Sequence, residues 1–233
     1  LFWNWEMAQL TGKARYSELF EWQLYNAAAV GMGLEGTTYL YNNPLACRGG
    51  VTRQAWYSVP CCPSNLSRTW ADLGKYIFSA EPGVVRVHQY ISSVCELEIS
   101  EVDGGRRTLR IELETGLPWE GWARLKLVDV PDEANDFEIQ FRQPTWASGM
   151  RACWRGEEVL SVIQAQSDAK EPTACGYDPR QAVFQVLQRD WTSGDTLEIE
   201  FEMPVQLRRA HPRVKGHQGK VAVTRGPLVY CLE

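Results

Sequence analysis

Three stretches of this chain alternate residue by residue between apolar and polar side chains, and that pattern restricts its fold more than any other feature. Leu109, Ile111 and Leu113 are interleaved with Arg110, Glu112 and Glu114. Phe137, Ile139 and Phe141 are interleaved with Glu138, Gln140 and Arg142, and Leu197, Ile199 and Phe201 with Glu198, Glu200 and Glu202. A period of two puts every second side chain on one face, so each stretch reads as a strand with one buried side. Further strands are expected at 84–92, 123–130, 151–154, 182–187 and 220–230, parted by turn signals at Asp103-Gly104-Gly105, Arg155-Gly156 and Ser193-Gly194-Asp195. About eight strands with hardly any helix between them predict an antiparallel β-sandwich.

A helical period governs the first third. Phe2, Trp5, Glu6, Gln9 and Leu10 are helically spaced, with Thr11-Gly12 as the stop. Ser17, followed by Phe20 and Glu21, is expected to start a second helix running through Leu24, Tyr25, Ala28 and Ala29 to Gly31 and Gly33. The short connection makes the two an antiparallel hairpin. Glu35 to Tyr41 reads as a turn feeding a short extended segment that ends at Asn42-Asn43-Pro44-Leu45. Residues 46–59 have no clear period, and a loop of that length carrying Arg53, Gln54, Trp56 and Tyr57 is expected to be functional. Glu81-Pro82-Gly83 is the best boundary, giving an α+β chain with a helical part, 1–81, and a sheet part, 82–233.

Between the two lies Val59-Pro60-Cys61-Cys62-Pro63-Ser64-Asn65. Each proline biases its predecessor toward extended backbone, which is expected to hold Val59 and Cys62 outside the helical region. Ser64 or Asn65 would then cap a helix carrying Leu66, Trp70, Leu73 and Ile77. A thiol near a helix N-terminus is favoured as thiolate, which points to a nucleophile, a metal ligand, or both. On residues alone, buried structural thiols or a vicinal disulfide remain open. Zinc takes four ligands and an adjacent pair supplies two.

Composition narrows the partners. The net charge of -5 comes without any basic block, which disfavours nucleic acid and anionic membrane. No run reaches the roughly 18 apolar residues of a membrane span, and the N-terminus lacks both a signal peptide's features and an initiator Met, so the chain is expected to be a segment of a longer protein. Seven cysteines, five of them single (Cys47, Cys95, Cys153, Cys175, Cys231), fit reduced thiols in a cytoplasm. Ten tryptophans and nine tyrosines are a hint of carbohydrate, since sugar-binding clefts use aromatic platforms. Trp119 and Trp191 read as corner-packing aromatics, with sugar stacking as the alternative. His88, His211 and His217 form no set and read as surface or structural residues. Glu6, Glu18, Glu21, Glu35 and Asp72 carry no local signal that separates a general acid from a solvated helix charge. No phosphate loop, G-x-S-x-G or H-E-x-x-H occurs.

Taken together, Leu10-Thr11-Gly12, Arg15-Tyr16, Glu21, Leu24-Tyr25-Asn26, Tyr41, Asn43-Pro44-Leu45, Cys61-Cys62-Pro63-Ser64-Asn65, Arg68 and the terminal Arg225-Gly226-Pro227-Leu228-Val229-Tyr230 resemble glycoside hydrolase family 127, the bacterial β-L-arabinofuranosidases. The resemblance spans essentially the whole chain. It implies the last helices of an (α/α)6 barrel followed by β-sandwich, and a Zn2+ ion held by one glutamate and three cysteines. It also implies Cys61 as the nucleophile and a zinc ligand, Cys62 as a second ligand, and a separate glutamate as acid/base. The glutamate and third cysteine of that pattern, an E-x-C motif, fall before residue 1, and the acid/base further upstream, so the chain by itself is expected to be inactive. Tyr41 and Trp56 are the substrate-binding candidates. The expected partner is an oligosaccharide or glycoside, with a homodimer allowed. The competing expectation is a non-catalytic carbohydrate-binding or oligomerisation module whose cysteines are structural.

Overall fold

The computed structural model describes residues 1–44, 47, 49–100, 106–131, 136–163 and 178–231. The expected turn at Asp103-Gly104-Gly105, Leu45 and Cys175 lie outside the described residues. Helix α1 (Phe2–Thr11) stops where the sequence says, because Gly12 takes a left-handed φ of 61° and its N–H returns to Ala8 O. Helix α2 (Ala14–Gln23) packs antiparallel on it and begins three residues before Ser17. The Ser17 hydroxyl is not a cap: it is buried and bonded to His88 Nδ1 at 2.8 Å. The helix then widens into a π turn (Leu24–Ala28) and tightens into a 3₁₀ turn (Ala29–Gly31).

Helix α3 (Cys61–Ala71) corrects a second expectation. Both cysteines lie inside its first turn rather than in extended backbone ahead of it. Pro63 is tolerated there because first-turn N–H groups have no intrahelical acceptor to lose. Ser64 and Asn65 do not cap; their side chains donate back to Pro60 O at 2.7 Å and Cys61 O at 2.7 Å. Leu66 and Trp70 turn inward, onto the cluster of Phe20, Leu24, Ala28 and Tyr76.

Among the described residues thirteen strands follow. β1 (Phe78–Glu81) and β2 (Val84–Val87) form a hairpin turned at Pro82-Gly83. After them come β3 (Ser93–Ser100), β4 (Arg106–Thr115), β5 (Trp122–Asp129), β6 (Asp136–Gln143), β7 (Gly149–Trp154), β8 (Glu157–Ile163), β9 (Val183–Asp190) and β10 (Thr196–Phe201). The segment read as one strand over 220–230 is a hairpin, β12 (Ala222–Arg225) and β13 (Leu228–Tyr230), paired with β11 (Val205–Arg208). The described strands make sheets of order β1-β2-β6-β9, β3-β4-β5-β10-β7-β8 and β11-β12-β13. The first two face each other as a sandwich, antiparallel throughout except that β2 and β6 run parallel. Between those two the chain leaves for β3, β4 and β5 of the opposite sheet, so β6 re-enters as a crossover, for which parallel pairing is natural.

The alternating residues fill the sandwich. Val85 and Ile139 from one sheet and Leu109 and Ile111 from the other are 0% exposed, and each such side chain contributes about 1.5–3 kcal/mol on burial. Trp191 is buried with its Nε1–H on Phe137 O, as a corner-packing residue should be, whereas Trp119 is exposed.

Helices and sandwich are joined by a buried charge cluster. Arg142 on β6 donates Nη1 to Glu18, Nη2 to Glu21 and Nε to His88 O. Glu18 also accepts from the Thr145 N–H and hydroxyl, and Glu21 from Trp146 Nε1. Burial raises the Glu18 carboxyl above its ordinary value, against the pull of Arg142. Burial likewise opposes the Arg142 charge, and Glu21 and Glu18 outweigh it. Two helix carboxylates that look solvated in the sequence are thus the joint of the molecule.

Candidate functional site

Three segments bring their side chains to one concave face. The first is the π turn with the 3₁₀ turn that follows it, where Ala27, Ala28 and Gly31 form a small-residue floor. The second is the extended segment after Gly36. Tyr39 there exchanges backbone hydrogen bonds with Gln54, while the Tyr57 hydroxyl donates to Tyr39 O and accepts from the Tyr41 N–H, so the aperiodic loop holds Tyr41 from behind. The third is the first turn of α3. Together with Leu1, Phe2, Leu40, Asn43, Asn65, Leu66 and Thr69, the residues Tyr41, Cys61 and Cys62 enclose a cavity of about 540 Å³. That volume suits a sugar-sized ligand.

The two sulfurs lie 3.8 Å apart and both thiols are free. The vicinal-disulfide reading is therefore not what the structure contains. Cys61 is exposed and Cys62 half-buried. The Tyr41 hydroxyl lies 3.3 Å from Cys61 Sγ. That hydroxyl above all, then the Cys62 thiol and the backbone N–H groups of the first turn, holds Cys61 below the ordinary thiol range. Its neighbours move the other way. Cys62 is raised by burial first and by Cys61 next, and Tyr41 is pushed up to about 12 by its bond to Cys61. The group best able to carry negative charge is Cys61, with Tyr41 as its proton-keeping donor.

The backbone of that turn is tied down. Asn65 Nδ2 donates to Cys61 O, Arg68 Nη2 donates to Asn65 Oδ1 at 2.7 Å, and the Arg68 guanidinium lies 4.3 Å from the Phe2 ring centre. No carboxylate lines the cavity among the described residues. Nor do the described residues contain any cluster of three or more His, Cys, Asp or Glu able to hold a metal. The sequence singles out Cys61, Cys62 and Tyr41, and the structure brings these three together. Trp56 stands outside the lining, exposed and packed edge-on against Tyr39 at 5.7 Å. Asn43 and Thr69 line the cavity without having been nominated as site residues, because neither has a distinctive spacing. His88 is a buried structural residue, held by Ser17 and Ser79.

Comparisons with known proteins agree along the whole length. Residues 1–75 match the β-L-arabinofuranosidase GH127 catalytic domain, 84–203 the GH127 middle domain and 205–233 the glycoside hydrolase family 127 C-terminal domain. The chain is 32% identical over 245 aligned positions to a non-reducing end β-L-arabinofuranosidase of Bifidobacterium longum subsp. longum, covering 98% of this chain and 33% of that protein. Among solved structures, a GH127 β-arabinofuranosidase superposes with a TM-score of 0.82 at 30% identity, covering 99% of this chain and 35% of the other. A GH127 β-L-arabinofuranosidase from Geobacillus stearothermophilus T6 does so with 0.78 at 34% identity, covering 100% and 35%. The chain therefore spans about a third of the length of these relatives.

Proposed function

Because the chain belongs to glycoside hydrolase family 127, we propose that it carries part of the active site of a zinc-dependent, retaining β-L-arabinofuranosidase in which Cys61 is the nucleophile. The observation that carries this reading is the contact between the Tyr41 hydroxyl and Cys61 Sγ at the mouth of a helix N-terminus, inside a sugar-sized cavity. Cys61 Sγ attacks the anomeric carbon of the bound glycoside; the carbon–sulfur bond forms as the glycosidic carbon–oxygen bond breaks. The departing oxygen takes its proton from a carboxylic acid supplied by another part of the full-length protein. Water, giving a proton to that same carboxylate, then displaces the sulfur, returning the thiolate and restoring the starting anomeric configuration after two inversions. Tyr41 steadies the thiolate before the attack and again once it is released. Trp56, beside Tyr39, offers a ring face for a sugar unit beyond the cavity.

Cys61 and Cys62 fit zinc as two of its four ligands. Thiolates about 2.3 Å from a tetrahedral ion lie about 3.8 Å from each other, which is the separation of these sulfurs. Zinc bound there would keep the Cys61 thiol deprotonated. The remaining ligands would come from outside this chain. In the same reading α1, α2 and α3, within residues 1–81, are terminal helices of an (α/α)6 barrel, and residues 82–233 form the β-sandwich part.

The test is Cys61→Ala in the full-length protein, assayed on an aryl β-L-arabinofuranoside. Turnover should fall by about 10³-fold or more. Full activity in the variant would remove Cys61 from the nucleophile's role.

A further inference from the structure

The terminal run Arg225-Gly226-Pro227-Leu228-Val229-Tyr230 supplies none of the residues that line the cavity, yet it is anchored in two directions. Arg225 Nη1 donates to Trp119 O at 2.7 Å in the sandwich, and Gly226 turns the hairpin at φ 56°, where a Cβ would collide with Met203 Cε. On the other side, Pro227 and Val229 both meet Asn26, in the middle of the π turn. Asn26 Nδ2 donates to Pro227 O at 2.8 Å and to Trp22 O at 3.0 Å, while Asn26 Oδ1 accepts from the Val229 N–H at 2.8 Å. Both amide hydrogens and the amide oxygen are thus engaged, and the side chain docks on the strand edge as a neighbouring strand would. The Arg208 guanidinium, on β11 of the same sheet, lies 5.7 Å from the centre of the Trp22 ring.

What this clamp holds is the floor of the cavity. Ala27 and Ala28 follow Asn26 directly and line it. The 3₁₀ turn that follows ends at Gly31, whose carbonyl accepts from the Leu40 N–H at 2.8 Å, one residue before Tyr41. Gly31 also lies so close to α3 that an added Cβ would sit 2.8 Å from Leu66 Cδ1, on the helix whose first turn carries both cysteines. The π turn and the 3₁₀ turn that continues it to Gly31 therefore set the position of Tyr41 through Leu40 and of the cysteine helix through Leu66. Single π turns within α-helices are frequent at functional sites, where the extra residue re-aims the chain.

We propose that Asn26 is a positioning residue: by clamping the π turn to the terminal hairpin, it fixes the separation of Tyr41 from Cys61. Its effect on turnover rests on the glycosidase reading above; its effect on the turn does not.

The test uses Asn26→Ala in the full-length protein, with steady-state kinetics on an aryl β-L-arabinofuranoside and amide hydrogen exchange measured side by side. The clamp predicts that kcat falls about tenfold while KM stays within about twofold, as misplacement of reacting groups requires. It also predicts faster exchange at Leu40, with strands β4, β5, β6 and β10 protected as in the wild type. Unchanged kcat with unchanged Leu40 exchange would overturn it, and so would exchange rising equally throughout the chain, the mark of a general loss of stability. Should Asn26→Ala fail to fold, Asn26→Asp decides, since it keeps the acceptor for the Val229 N–H and loses both donors. An intermediate loss of kcat with faster Leu40 exchange supports the clamp, and wild-type behaviour contradicts it. If the wild-type protein itself does not turn over the glycoside, the glycosidase reading falls and the exchange at Leu40 alone decides the clamp.

Discussion

The Arg142 joint and the Cys61 turn both gather charged or ionisable groups on a helix, and they are built in opposite ways. At the joint Arg142, Glu18 and Glu21 are all buried, and each is multiply bonded. At the cavity Cys61 is exposed and has only Tyr41 and Cys62 as side-chain partners among the described residues. Satisfaction without exposure makes a joint. Exposure with incomplete satisfaction leaves a group able to bind or react. Strong perturbation of ionisable groups is therefore no guide to chemistry here unless solvent access is considered with it.

The contrast can be broken most forcefully at the joint. Arg142→Ala leaves Glu18 and Glu21 buried without their counter-charge and should cost about 3–5 kcal/mol, seen as a large drop in denaturation midpoint or as loss of soluble protein. Near-wild-type stability would mean that the cluster does not hold the layers together. At the cavity, Cys62→Ser should leave the midpoint of the metal-free protein within about 0.5 kcal/mol of wild type, as expected of a site that is not a joint. In the full-length protein it should abolish stoichiometric zinc and, with it, turnover. A metal-free wild type that still hydrolyses glycosides would contradict both roles. A smaller effect is expected from Tyr41→Phe, which removes the first of the groups holding Cys61 low. kcat/KM should fall about tenfold, and in the metal-free protein the Cys61 thiol should ionise at higher pH than in the wild type; an unmoved thiol titration would show that the hydroxyl does not act on Cys61.

The smallest effect sharpens the buried side. Burial first, then Arg86 and Arg142, depress His88 from 6.5 to about 3. Above pH 6.5 the ring is neutral in folded and unfolded chains alike. As pH falls from 6.5 toward 3, the unfolded chain takes up a proton that the folded one refuses, so stability declines by up to about 1.4 kcal/mol per pH unit. Between pH 6.5 and 5, His88→Gln should flatten that slope; an unaltered slope would place the titration elsewhere.

These two regions were unequally legible in the sequence. The strands with one wet face announce themselves by alternation, so β4, β6 and β10 fall where expected. β1, β8 and β11 are short or edge strands whose partners, not their own patterns, hold them in place. The parallel pairing of β2 with β6 has no local signature at all, since register between distant strands is set by packing. The Cys61-Cys62 pair was legible because prolines and adjacent thiols are rare in combination, although the helix start was misplaced by the expectation that Pro63 would exclude Cys62 from it. Glu21 stayed mute because its partner Arg142 is 121 residues away. Asn26 belongs to the family-like pattern, but only the fold reveals that it faces Pro227 and Val229.

The most direct measurement is made on the full-length protein, mixed with an aryl β-L-arabinofuranoside bearing a good leaving group, quenched in acid within the first turnover and digested for mass spectrometry. A covalent role predicts one pentosyl unit on the peptide containing Cys61, absent from the Cys61→Ala variant. Rapid turnover with that peptide always unmodified, or with the sugar attached to another residue, would contradict the assignment of Cys61 as the nucleophile.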